Sequence, residues 1–149
     1  WKEQGSCKHK KGTPILVLLD GGGSNGSRNR LFKQEMQDWA DEYGLNVRVA
    51  HYPPYCSKYN PIEHRLCPAI TRAWNGVMLD GPQTMSELIT QRLSNLKSGL
   101  HIGVGIMEQT FEKGVKVFDN FLDYCNIVHD PELPKWNYRI LAMELSANR

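Results

Sequence analysis

Apolar and polar positions alternate between two periods along the chain, and the switches between them mark its elements. Ile15 to Leu19 is a run of five apolar residues that ends at Asp20 and a glycine-rich turn, Gly21-Gly22-Gly23-Ser24-Asn25-Gly26. An unbroken, partly β-branched run stopped by glycine predicts a strand buried on both faces. Leu31, Phe32, Met36, Trp39, Ala40 and Tyr43 then recur at helical steps. They predict an amphipathic helix from near Asn29 to Tyr43, ended by Gly44. Asn46 to Tyr52 reads as the next strand, and strand, helix, strand in this order predicts a right-handed unit with parallel strands.

Pro53-Pro54-Tyr55-Cys56-Ser57-Lys58-Tyr59 predicts a rigid, extended loop. Asn60-Pro61-Ile62-Glu63 opens a helix, with Asn as N-cap and Pro at the first helical position, that continues through Leu66, Ile70, Ala73 and Trp74 to Asn75-Gly76. Pro68 lies inside it, where a proline costs about 3 kcal/mol in a regular interior and kinks the helix. Downstream the pattern predicts a helix over 82–97, a short strand over 101–107 weakened by two glycines, a helix over 115–126 and a terminal strand over 136–141. Residues 1–13 are polar and basic and read as a helix remnant plus a loop.

A chain of 149 residues with 40% hydrophobic and 23% charged content suits one soluble globular domain over 1–149. No apolar run approaches the roughly 20 residues needed to span a bilayer, so no membrane partner is expected. The chain starts at Trp1 and reads as a piece of something longer. Its four cysteines are scattered without a C-x-x-C pair, which argues against structural zinc and for reduced thiols in a cytoplasm. The net charge of +2 is bland. Basic residues outnumber acids over 1–72, however, and the balance reverses over 73–149, which favours a polyanionic partner on the side of Asp20.

Asp20 falls at the carboxyl end of the first strand, where open α/β sheets present their ligand sites. An acid before a glycine run also serves as a plain turn former. Gly21, Gly23 and Gly26 match a dinucleotide loop, but Asp20 would repel the pyrophosphate and the strand ending at Ala50-His51-Tyr52 offers no acid for a ribose. No Walker lysine follows, and Ser24 lacks the context of a hydrolase elbow, so no nucleotide cofactor is expected. Glu63 stands where a capping-box glutamate stands. Its topology also matters, because it opens the helix reached from the strand beside Asp20. Two acids at one sheet edge, among Arg28, Arg30, Lys33, Lys58 and Arg65, suit divalent metals acting on phosphodiesters. His51 and His64 lie nearby without a placed nucleophile and read as structural.

Asp20-Gly-Gly-Gly-Ser-Asn-Gly-Ser-Arg-Asn-Arg30, with Pro53-Pro54, Ser57-Lys58, Asn60 and Ile62-Glu63-His64-Arg65-Leu66, resembles prokaryotic insertion-sequence DDE transposases of the ISAzo type. The Pro-Pro-Tyr…Asn-Pro-Ile-Glu portion is similar, more distantly, to mariner-like transposases. The likeness continues more weakly through Gly99-Leu100, Lys113 to Val117 and Trp136-Asn137-Tyr138. The resemblance implies an α/β, ribonuclease-H-like catalytic domain whose three acids bind Mg²⁺ (or Mn²⁺) for DNA strand cleavage and transfer. By motif, Asp20 matches the second acid and Glu63 the third, both catalytic and metal-binding. Arg28, Arg30, Lys58 and Arg65 match basic positions expected to approach DNA.

The family's first acid lies upstream, on the first strand of the sheet. Here Glu3 is the sole acid before Asp20, in a segment that is not strand-like, so the first strands and first acid are expected to be absent and the chain alone to be inactive. The open strand edge left behind predicts a homodimer, or a C-terminal strand that covers it. The competing class is a non-catalytic nucleic-acid-binding or assembly module with the same fold.

Overall fold

A computed structural model describes residues 1–2, 5–10, 12–93, 102–110, 112 and 114–143. The chain divides into two compact units, one of residues 1–57 and 113–149, the other of residues 58–112.

The first unit is a four-stranded mixed sheet with a helix on one face. β1 (Ile15–Leu19) leads through a short 3-10 turn (Gly23–Asn25) to α1 (Arg30–Tyr43) and then β2 (Val47–His51). α1 begins and stops where local chemistry dictates. Asn29 accepts a hydrogen bond from the Phe32 amide at 3.2 Å, and Gly44 takes the left-handed conformation that glycine tolerates, with φ 62°. β1 and β2 pair in parallel, from Ile15 opposite Val47 to Leu19 opposite His51. After the second unit the chain returns through a short helix (Phe121–Tyr124), β3 (Ile127–His129) and β4 (Asn137–Ile140). The strand order is β1-β2-β4-β3, with both later pairings antiparallel.

The register explains the core. Ile15, Val47, Ile140 and Ile127 form one row across the sheet, and Val17, Val49 and Tyr138 lie in the next. These side chains meet Ala40, Phe32, Met36 and Trp39 of α1, with Leu45 beside them. Gln37 is also fully buried within this core. Its amide nitrogen donates to Asp41 and to the Leu141 carbonyl, and its oxygen accepts from the Asn126 amide at 2.8 Å. One helical side chain thereby ties α1 to both ends of the β3–β4 hairpin, and every polar group it buries is paired.

Several expectations are corrected. β1 is not buried on both faces: it is an edge strand whose burial alternates, with Leu16 57% and Leu18 40% exposed. Those two residues share a face with Arg48 and Arg139, which lie opposite each other in the β2–β4 register. The C-terminal strand does not cover the β1 edge, because β4 pairs with β2 instead. Over 102–107 there is no strand, as two glycines in six residues weaken one, and His101 lies outside the described residues. The helix expected over 115–126 shrinks to Phe121–Tyr124. Among the described residues of 1–13 there are turns but no helix.

The second unit is a small helical layer. α2 (Pro61–Arg65) and α3 (Cys67–Trp74) stand where one helix was expected, and the break falls at Leu66. Pro68 has no amide hydrogen to offer the His64 carbonyl, so the ladder is interrupted at that turn. α4 (Pro82–Leu93) packs Ile89 and Leu93 against Ala69 and Ala73. Arg92 donates to the Ala73 carbonyl at 2.9 Å. The remainder of the predicted 82–97 helix lies outside the described residues.

Candidate active site

Asp20 is the first residue beyond β1, and its side chain is exposed. The backbone that follows favours glycine at two points. A Cβ at Gly21 would come to 3.0 Å from the Tyr52 carbonyl, and Gly23 sits at φ 59°. The loop is then fastened to α1 from one residue: Asn29 donates to the Ser24 carbonyl at 2.6 Å while its oxygen caps the helix. Glycine freedom makes the turn and Asn29 fixes it. The Asp20 carboxylate itself has no hydrogen bond or ion pair among the described residues.

Beneath Asp20 lies a buried polar pair. His51 ends β2 opposite Leu19 and is 5% exposed. Its Nε2 lies 3.0 Å from the Tyr138 hydroxyl, while Nδ1 is buried without a hydrogen-bond partner. Burial lowers the His51 pKa below the usual histidine value. The Asp20 main chain, and less so its carboxylate, pull the other way, although no atom completes a hydrogen bond to Nδ1. Lys33 of α1 places its ammonium 4.8 Å from the Tyr138 ring centre, and partial burial lowers its pKa. Tyr138 is 1% exposed, and burial raises its phenol well above the ordinary value.

The basic positions divide between the units. Arg28 and Arg30 lie on either side of the α1 N-cap Asn29 in the chain, both exposed. Arg30 lies 6.0 Å over the Phe121 ring. In the second unit, Glu63 occupies the first turn of α2 and is exposed. Asn60 caps that helix by accepting from the Ile62 amide at 3.3 Å, and the Glu63 amide donates to the Asn60 carbonyl. The Glu63 carboxylate makes no capping-box bond back to Asn60 among the described residues, so the reciprocal half of that motif is missing. Lys58 lies 5.0 Å over the Tyr59 ring, and its carbonyl is engaged by the His64 imidazole. Arg65 is exposed at the end of α2.

Asp20, Arg28 and Arg30 thus belong to the first unit, and Lys58, Glu63 and Arg65 to the second. Pattern reading placed His51 near Asp20 as a structural residue but missed its pairing with Tyr138. Tyr138 follows Asn137 in a short strand far along the chain, and nothing local announces its partner.

Among the described residues no group of three or more His, Cys, Asp or Glu side chains gathers as a metal site. Two free carboxylates are nonetheless hard oxygen donors of the kind that Mg²⁺ and Mn²⁺ take. Residues 1–142 match the Rhodopirellula transposase DDE domain, and the chain belongs to that family of insertion-sequence DDE transposases. No curated protein and no solved structure matches the chain. DDE transposase domains are generally dependent on divalent metals, and the family acts on DNA. No helix among the described residues is long and apolar enough to cross a membrane.

Proposed function

We propose that this chain is part of the catalytic domain of a DDE transposase with a ribonuclease-H-like fold, acting in metal-dependent DNA strand cleavage and transfer. The observation that carries the reading is the acid–glycine corner at the carboxyl end of a parallel strand pair, within a family match that runs through both units. In this reading residues 1–149 work as one domain, in the cytoplasm of a prokaryote. Asp20 and Glu63 hold Mg²⁺ or Mn²⁺ as the second and third acids of the triad. The metal supplies activation of a water or a DNA 3′-hydroxyl and stabilisation of the leaving oxygen. Arg28, Arg30, Lys58 and Arg65 neutralise phosphates.

Two acids do not make a triad, and among the described residues no three His, Cys, Asp or Glu side chains gather as a metal site. The chain alone is therefore expected to bind DNA without cutting it. An end-sequence duplex with Mn²⁺ tests this: the expected result is salt-sensitive binding and no nicking. Robust cleavage by this polypeptide would contradict the inactivity, and failure to bind duplex at low salt would contradict the transposase reading itself. The β1 edge, unpaired by any strand among the described residues, supports a homodimer formed by strand pairing. Light scattering is expected to return a dimer, and a monomer would argue against it.

A further inference from the structure

Tyr55 is 99% exposed, and among the described residues it is the one non-glycine residue at positive φ, 66°. The Cys56 amide donates to the Pro53 carbonyl at 3.2 Å, so Pro54 and Tyr55 are the central residues of a tight turn. Proline suits the first of those places, but positive φ at the second favours glycine or asparagine. Packing of the ring would offset the strain, yet it touches no other ring among the described residues and is open to solvent. The turn borders the candidate site. A Cβ placed at Gly21, next to Asp20, would lie 3.9 Å from the Pro54 nitrogen and 3.8 Å from Trp136 Cζ3. Trp136 is fixed by its main chain, which donates to the Leu133 carbonyl and accepts from the His51 amide. The exposed Lys135 holds its ammonium 4.7 Å from the Trp136 ring centre.

We infer that this corner is a seat for one unpaired nucleotide of a DNA strand, whose base stacks on the Tyr55 ring and whose phosphate is neutralised by Lys135. A base inside a duplex is already stacked on both faces, so a lone protein ring gains contact only on an unpaired or terminal one. Stacking on an aromatic ring tolerates any sequence, because every base has a π-face. The two prolines restrict the backbone beside Tyr55, so presenting the ring costs little further freedom on binding. Trp136 does the same for Lys135, since the cation–π contact restrains a long, mobile side chain. The inference rests on the DNA-binding reading of the chain and goes beyond it by naming residues that take an unpaired strand.

The test titrates the full chain into a single-stranded oligonucleotide carrying 2-aminopurine, read by fluorescence, and into a fully paired duplex, read by anisotropy. Stacking on Tyr55 is expected to quench the 2-aminopurine. Tyr55→Gly removes the ring and relieves the positive φ, so its melting temperature should hold or rise. Its single-strand affinity is nonetheless expected to fall about tenfold, with the quenching lost and the duplex affected less. Tyr55→Trp should keep both affinity and quenching. Lys135→Ala is expected to flatten the log–log salt dependence of single-strand binding by about 0.7, the slope of one phosphate contact. An unchanged slope would remove Lys135 from the seat. Single-strand binding and quenching that survive in Tyr55→Gly, with duplex still bound, would overturn the seat and leave the DNA-binding reading standing. Failure of the parent to bind either DNA would overturn that reading, and the seat with it.

Discussion

The two candidate acids are mounted in opposite ways. Asp20 leaves a paired strand, over a buried His51–Tyr138 pair, into a loop whose glycines and Asn29 fix its path. Glu63 rides on a five-residue helix that stops three residues before Pro68, with every residue of that helix exposed. One acid is held by a core and the other by a cap. Sheet-mounted groups keep their geometry because moving them disrupts packing, whereas a one-turn helix has little to hold it apart from its cap. The contrast assigns the two acids different sensitivities: the Asp20 corner to damage in the core, Glu63 to damage in its own turn.

The largest effect should come from the support under Asp20. Tyr138→Ala removes a fully buried ring and is expected to destabilise the first unit by about 3–5 kcal/mol, read as a fall in the denaturation midpoint. Glu63→Ala, on an exposed and unpaired carboxylate, should stay within about 0.5 kcal/mol of the parent. Comparable losses from both would erase the contrast.

Gln37→Ala comes next. It strands the Asn126 amide and the Leu141 carbonyl together, and a cost of about 1–3 kcal/mol is expected from chemical denaturation. A neutral substitution would show that the hairpin is held to α1 by apolar contact alone.

A pH ramp gives a smaller effect confined to the same unit. Burial raises the Cys125 thiol from 9.0 to about 11, and a hydrogen bond to Asp38 raises the Tyr124 phenol from 10.0 to about 12. Both favour the protonated form in the folded state. The stability they lend is complete below pH 9 and is lost as pH rises through about 11 and 12. Thermal melts should fall across that window, less steeply in Cys125→Ser and Tyr124→Phe. Parallel curves for all three would contradict the assignment.

The smallest change sharpens the Glu63 side. Pro68→Ala supplies an amide hydrogen that can reach the His64 carbonyl and join α2 to α3. A modest gain in helical circular dichroism is expected, and no gain would mean that Leu66 breaks the helix for another reason.

What the sequence made legible follows the range of the forces involved. α1 was readable to the residue because its cap, its period and its terminating Gly44 all lie within it. The break near Pro68 was readable for the same reason. β1 misled, because five apolar residues look alike whether a strand is central or at an edge, and only the pairing partners decide. Gln37 reads as a surface residue by type, and its burial depends on groups 89 and 104 positions away. The site shows the same division. Asp20 and its glycines announce themselves locally, while the Tyr138 beneath them is brought by β4 from 87 residues beyond His51.

The central claim is that Asp20 and Glu63 are metal ligands. Calorimetric titration of Mn²⁺ into this chain, into Asp20→Ala and into Glu63→Ala tests it most directly. The account predicts binding by the parent and weaker binding by both variants, with the fold intact by circular dichroism. Equal binding by all three, or none by the parent, would contradict it and leave Glu63 as the opening turn of a helix.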